Sequence, residues 1–292
     1  MTASGGAADA GRDVVTLRAG DAQLTIDPAA GGRFASLVVG EHELLVTEGL
    51  GPIEWGCFPM APFAGRIRDG RFTFRGLVHQ LERNLPPNAI HGTVFTRPWD
   101  VTAFTRPWDV TARAVDRAEL AAELGPSWPF RGRVTQTLAL RPDGLEASLE
   151  LKADESMPAW LGWHPWFRRE VAGVTADLDF AAEWMYARGP DGLPTGELVP
   201  PTSRPWDDAF LGVRSPIHLT WTGVLSLEVT ATAGIWVVYD QRPYAICLEP
   251  QTAPPDALNV AEAAGTDLPI AEPWRPISLT MSWRWWRSGA SA

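Results

Sequence analysis

Two residues in this chain have the type and setting to move protons. His164 sits in Gly162-Trp163-His164-Pro165-Trp166-Phe167, and Glu249 sits in Ile246-Cys247-Leu248-Glu249-Pro250-Gln251-Thr252. An imidazole and a carboxylate held among aromatic and aliphatic neighbours have pKa values open to tuning toward neutrality. General acid/base work at pH 7 needs such a pair. The tryptophans beside the histidine, Trp163 among them, offer flat faces of the kind on which sugar rings stack. The pair therefore points to proton transfer on a carbohydrate. Each residue also has a plainer reading. His164 can be a buried structural histidine that meets a backbone carbonyl, and Glu249 a strand-end carboxylate in water or beside an arginine. On a strand, Ala245, Cys247 and Glu249 share one face. A carboxylate closing such an apolar run is expensive to bury without a use, and the two signals together outweigh either alone.

Other polar groups can serve such a pair. His91 lies in the loop-like run Asn88-Ala89-Ile90-His91-Gly92, where Gly92 allows close backbone approach. Arg66, between the apolar residues of Ala64-Gly65-Arg66-Ile67, can aim a donor fork at hydroxyls. Asp207 and Asp208 follow Trp206 and offer acceptors to hydroxyls. A surface-loop histidine, an arginine paired to an acid and a polar loop are the corresponding plain readings. Other chemistries fit poorly. There is no glycine-rich phosphate loop after a strand, no His-Glu-x-x-His and no Cys/His metal spacing, so no metal is expected. Cys247 reads as a small core hydrophobe rather than a nucleophile. A glycosidase would want two carboxylates across the bond.

The elements that must position these residues are strands. Val14–Arg18, Gln23–Ile26, Phe34–Val39, Ile217–Trp221, Leu225–Thr230, Ile235–Tyr239 and Tyr244–Leu248 alternate or run apolar at short spacing. Arg133–Leu140 and Leu145–Leu151 flank Pro142-Asp143-Gly144 and predict a hairpin, with Gly144 free to take positive φ. Ile277–Trp285 places Ile277, Leu279, Met281, Trp283 and Trp285 on one face. The one plausible helical stretch is Asp256–Ala264. This pattern means an all-β sandwich or barrel in a single domain over 13–287, with loose ends at 1–12 and 288–292. A tandem repeat interrupts it: Phe95–Ala103 is followed at once by the same nine residues, Phe104–Ala112. Nine is odd, so two copies in one strand would face opposite sides. One copy is expected to keep the strand and the other to bulge or loop out.

Composition bounds the partners. A formal net charge of −10 argues against a nucleic-acid backbone or an anionic membrane. No apolar stretch is long enough to span a bilayer. Met1–Asp13 lacks a basic start and an apolar run, and is not expected to be a signal peptide. Two cysteines do not make a disulfide framework and suit a reducing compartment. The expectation is a cytoplasmic protein, monomer or homodimer, whose partner is a small-molecule sugar.

Phe58-Pro59-Met60-Ala61-Pro62, Gly65-Arg66-Ile67, Ala89-Ile90-His91-Gly92, Gly162-Trp163-His164-Pro165-Trp166-Phe167 and Glu249-Pro250-Gln251-Thr252 resemble, in order and spacing, the motifs of the aldose 1-epimerase (galactose mutarotase) family. The resemblance implies a large antiparallel β-supersandwich with a sugar cleft and no cofactor. It implies His164 as general acid, Glu249 as general base, His91 and Arg66 as substrate contacts, and Gln251 within the substrate-binding motif. Three departures stand out. Gly65 replaces the frequent Asn, an Asp-Phe-Arg run is missing after Pro194-Thr195-Gly196-Glu197, and the tandem repeat is extra. Asp207 or Asp208 can stand for the missing Asp. The implied reaction is interconversion of the α and β anomers of a free aldohexose such as glucose or galactose. A non-catalytic sugar-binding protein on the same fold is one alternative. A sugar-phosphate mutarotase is another, and would want a basic cluster from Arg66, Arg68, Arg71 and Arg75.

Overall fold

The alternating runs pair as antiparallel strands. The structure is a computed structural model, and it describes residues 13–105, 115–264 and 269–287. An eleven-stranded sheet runs in the order Val15–Ala19, Ala22–Asp27, Arg33–Val39, Cys57–Met60, Gly162–Arg168, Ala245–Gln251, Ile235–Tyr239, Asp207–Val213, Ala182–Arg188, Pro194–Val199, with His42–Glu43 beside Arg33–Val39. An eight-stranded sheet runs Asp100–Thr105, Arg117–Glu123, Gly132–Arg141, Gly144–Ala153, Ile277–Arg287, Leu225–Ala231, Ile217–Trp221, Asp177–Asp179. This is the expected all-β supersandwich. The expected tails at 1–12 and 288–292 lie outside the described residues.

The two sheets meet through large side chains on their facing sides. Trp283 of the smaller sheet packs edge-on against Phe167 at 4.9 Å and Phe34 at 6.0 Å on the larger one. Trp163 packs against Phe34 at 5.2 Å in the same layer. All four rings are essentially fully buried. Truncating a ring so placed costs about 3–5 kcal/mol, transfer and cavity together. The expected one-sided pattern of the last strand is observed: Leu279, Met281, Trp283 and Trp285 are buried and the intervening residues are not.

The predicted hairpin forms with a two-residue loop, since Arg141 pairs with Gly144 and Leu140 with Leu145. Gly144 does not take positive φ, contrary to expectation. It is needed because a Cβ there would lie 2.7 Å from the carbonyl oxygen of Trp283 on the next strand. The strand expected at Tyr244–Leu248 runs three residues further, as Ala245–Gln251, so Glu249 lies inside it. Proline lacks the ladder donor. Between Gly162 and Trp166 the regular pairing with this strand lapses, beside Pro165 and Pro250, and it holds on either side. The helix forms at Ala257–Ala264.

The first copy of the repeat carries the packing. Phe95 and Trp99 are buried, the Trp99 indole N–H donates to the carbonyl of Val94 at 3.0 Å, and Asp100–Thr105 forms the edge strand. A register shift between Val101 and Ala103 bulges that edge. Of the second copy, Phe104 and Thr105 end the strand, and 106–112 lie outside the described residues.

Candidate active site

Register brings the two candidate acid/base residues together. Gly162 pairs with Gln251 and Trp166 with Cys247, which sets His164 directly opposite Glu249 on the neighbouring strand. His164 Nε2 lies 3.3 Å from Glu249 Oε1. Both side chains are buried at the floor of a cleft of about 310 Å³ on the outer face of the larger sheet. A neighbouring cavity of about 570 Å³ shares Ile53, Glu54, Leu85 and Ile90 with the cleft but contains neither member of the pair.

The period of two decides what else faces the cleft. His164 and Trp166 point to one side, and their rings stack at 5.2 Å and 7°. Phe58, paired with His164 across the next strand, stacks on the imidazole at 4.8 Å. Trp163 points to the other side and is wholly buried between the sheets. It is no sugar platform, and that expectation is corrected: Trp166 is the tryptophan of the motif that lines the cleft. Gln251 shares the face of Glu249 and its amide N–H donates to Glu249 Oε2 at 3.3 Å.

His91 reaches the site from a strained backbone. Its φ is 60°, uncommon for a non-glycine residue. Its N–H donates to the carbonyl of Gly65 at 2.8 Å, and the ring meets His164 edge-on at 5.0 Å. Gly92 follows at φ 80°, where a Cβ would sit 2.0 Å from the carbonyl oxygen of Ala61. Only glycine allows that crossing. Gly65, the departure from Asn, has φ 67°. Asn also tolerates that conformation, but a Cβ here would lie 2.7 Å from the Cβ of Pro255, so the packing at this position fits glycine.

Arg66 lines the cleft, and no carboxylate lies within ion-pair distance of it among the described residues. Its backbone is held by Asp256, whose N–H donates to the Arg66 carbonyl at 2.6 Å. The buried Asp256 carboxylate accepts the Arg68 N–H at 2.9 Å and the Asn259 amide at 2.6 Å. Arg68 in turn pairs with Asp191, next to the cleft-lining Gly192 and Leu193. Asp207 and Asp208 both line the cleft and approach Arg188 at 3.5 Å and 3.7 Å. Arg188, Tyr186, Tyr239, Gln241, Arg242 and Glu54 also line it, and sequence reasoning missed them. The strand period could have found Tyr186 with Arg188. Arg242 and Glu54 sit in loops with no local signal.

Burial governs the charges. It drives the His164 imidazole down to about 3 from an ordinary 6.5, with Arg33 adding to the effect. Burial also lowers His91, helped by His164 and Arg66. Glu249 is raised well above the usual carboxylate range, first by burial and then by Asp207, against Arg66 and the Gln251 amide. Burial therefore favours the uncharged form of both groups.

These shifts set stability slopes of opposite sign. Below 6.5 the unfolded chain protonates His164 while the folded one does not, so stability falls as pH drops. Above 4.5 the unfolded chain ionises Glu249 while the folded one does not, so stability falls as pH rises. Between those values the two cancel. Glu249→Gln is thus expected to be more stable than wild type above neutrality, with a gap that widens by up to about 1.4 kcal/mol per pH unit. Denaturant unfolding at several pH values in the presence of a chelator checks this. A gap that does not widen as pH rises above 4.5 refutes it.

Comparison with known proteins identifies the family. The family model described as aldose 1-epimerase matches residues 13–257. The uncharacterized protein YphB of Escherichia coli K12 is 26% identical over 256 residues, covering 78% of this chain and 83% of that protein. A galactose mutarotase-like protein from Clostridium acetobutylicum superposes with a TM-score of 0.81 at 17% identity, covering 94% of this chain and 95% of that one. Galactose 1-epimerase from Lactobacillus acidophilus superposes with a TM-score of 0.75 at 18% identity, with 94% of each chain covered. At such identities the structures speak for the fold alone, and the family match, which takes in Arg66, His91, His164 and Glu249, carries the assignment: this chain belongs to the aldose 1-epimerase family.

Proposed function

We propose that this protein is a mutarotase that interconverts the α and β anomers of a free aldohexose such as glucose or galactose. The observation that carries the reading is the His164–Glu249 contact at 3.3 Å on the floor of a sugar-sized cleft. Ring opening removes a proton from the C1 hydroxyl and adds one to the ring oxygen. The pair holds one proton between its two members, which is what that exchange consumes and returns. Passing it from Glu249 to His164 leaves the pair's total charge unchanged, and Arg66 favours the resulting carboxylate. Glu249 then takes the C1 proton while His164 protonates the ring oxygen. Rotation about C1–C2 and closure with the transfers reversed gives the other anomer. Each group serves as acid and base in turn.

The lining suits a ring covered in hydroxyls. His91 Nδ1, Gln251 Oε1 and Trp166 Nε1 are buried with no partner among the described residues. Unpaired buried polar atoms are costly, and sugar hydroxyls would satisfy them. Trp166 supplies the apolar floor. Arg66 and His91 stabilise the oxygen where charge develops, and Asp207 or Asp208 accepts a ring hydroxyl.

The charge count favours a free sugar over a phosphorylated one. Of the cleft arginines, Arg242 pairs with Glu54 at 2.9 Å and Arg188 with the two aspartates, leaving Arg66 as the one with no ion pair among the described residues. Of the other cluster candidates, Arg68 pairs with Asp256 and Asp191, Arg71 is exposed, and Arg75 donates to Ser156 at 2.7 Å. None of the three lines the cleft.

Polarimetry of α-D-glucose, α-D-galactose and glucose 6-phosphate tests the proposal. Acceleration is expected on at least one free hexose and should be smallest on the phosphate. Sugar binding by calorimetry without any acceleration would mean a binding protein, and fastest turnover of the phosphate would mean a sugar-phosphate enzyme.

A further inference from the structure

Cys247 plays no part in the proton transfers above, yet it occupies the same face as Glu249 two residues earlier and pairs across the sheet with Trp166. His164, Cys247 and Glu249 bring an imidazole nitrogen, a sulfur and a carboxylate oxygen within 4.8 Å of one another, all three side chains buried. The ligands come from two strands, so no ligand spacing is visible along the chain. We propose that these three residues form a site for a thiophilic divalent cation such as Zn²⁺, whose occupancy blocks the acid/base pair.

The geometry is close to what such an ion needs. Zinc bonds of about 2.0–2.1 Å to nitrogen, 2.0–2.2 Å to oxygen and 2.3 Å to sulfur put tetrahedral ligand atoms roughly 3.3–3.6 Å apart. The His164–Glu249 separation of 3.3 Å already matches one edge. The sulfur needs to close by about 1.3 Å at most from the 4.8 Å limit, within reach of a side-chain rotation. Binding leaves the net charge of the site unchanged. Binding expels the Cys247 thiol proton and the Glu249 carboxyl proton to solvent, and one dication replaces two protons. A thiolate, a carboxylate and a neutral imidazole then leave the buried assembly electrically neutral, so the low dielectric does not oppose it. Three protein ligands leave the fourth position open to the cleft, where the C1 hydroxyl of a sugar would sit. Ion and sugar should therefore compete.

Cadmium is the spectroscopic probe, because a cadmium–thiolate bond absorbs in the ultraviolet. EDTA-stripped protein titrated with Cd²⁺ is expected to develop that absorption up to one equivalent per chain. Cys57→Ser should retain it, Cys247→Ser should lose it, and Glu249→Gln, which keeps both cysteines, should bind at least tenfold more weakly. Circular dichroism confirms that each variant is folded. Zn²⁺ should inhibit mutarotation, EDTA should reverse the inhibition, and raising the sugar concentration should weaken it. Absence of a saturating band in wild type, or its survival in Cys247→Ser, overturns the inference. So does zinc inhibition of undiminished strength in Cys247→Ser, measured against that variant's own metal-free rate. The absorbance titration needs no turnover, so it decides the metal site even for a protein that accelerates no mutarotation.

Discussion

Glu249→Gln and His164→Ala are each expected to lower kcat for mutarotation by about 10²–10⁴-fold, the range ascribed to general acid/base catalysis. The two side chains face each other at 3.3 Å. Glutamine keeps the volume and the hydrogen-bonding reach of Glu249 but has no proton to give or take. Alanine at 164 removes the partner and leaves Phe58 and Trp166 stacked on empty space. Because each transfer needs both groups, the double variant should be little worse than either single one, as for other catalytic groups that act as a unit. KM should move far less than kcat, since Arg66, His91, Gln251 and the aspartates remain. Polarimetry with circular dichroism on the same samples checks the result. Either folded variant within tenfold of wild type would remove the pair from the mechanism.

Arg66→Met is expected to lower kcat/KM by roughly 10- to 150-fold, the equivalent of about 1.5–3 kcal/mol for a charge-assisted hydrogen bond. Methionine keeps much of the stem length and loses the fork. The residue is prepared for this role by its surroundings. Its backbone is clamped by Asp256 and by the pairing of Arg66 with Ile90. Among the described residues no carboxylate lies within ion-pair distance of its guanidinium, although Asp207 and Glu249 both feel its charge. An effect mainly on kcat would place the arginine against the developing charge, and an effect mainly on KM would place it against a ground-state hydroxyl. Arg66→Lys separates charge from geometry: partial rescue means charge suffices, and none means the fork is required. Unchanged kcat/KM in Arg66→Met would show that the arginine does not touch the substrate.

How far the site was legible along the chain depends on the residue. His164, Glu249, Gln251, His91 and Arg66 lie in motifs with unusual local chemistry, and the structure gathers all five around one cleft. Trp163 was misplaced although the means to place it were at hand. His164 and Trp166 are two apart and share a face, whereas Trp163 is adjacent and must face the other way. Gly144 was given a turn conformation when its real constraint is a neighbouring strand's carbonyl. The strand expected to end at Leu248 continues past Pro250 to Gln251.

The sequence by itself determined the all-β class, the hairpin at Pro142-Asp143, the one-sided final strand and the choice of His164 and Glu249 as the candidate acid/base pair. Those features are local: a two-residue period, turn chemistry, and a titratable group set among apolar neighbours. Only the tertiary structure decided which strands are neighbours, and hence that Glu249 faces His164 and that Cys247 stands beside both. Only it placed Arg188 against two aspartates and Arg242 against Glu54, 188 residues away along the chain. Strand pairing joins segments far apart in sequence, and its energy comes from the shared core between the sheets. No window of the chain contains that core, so no window could show the site it builds.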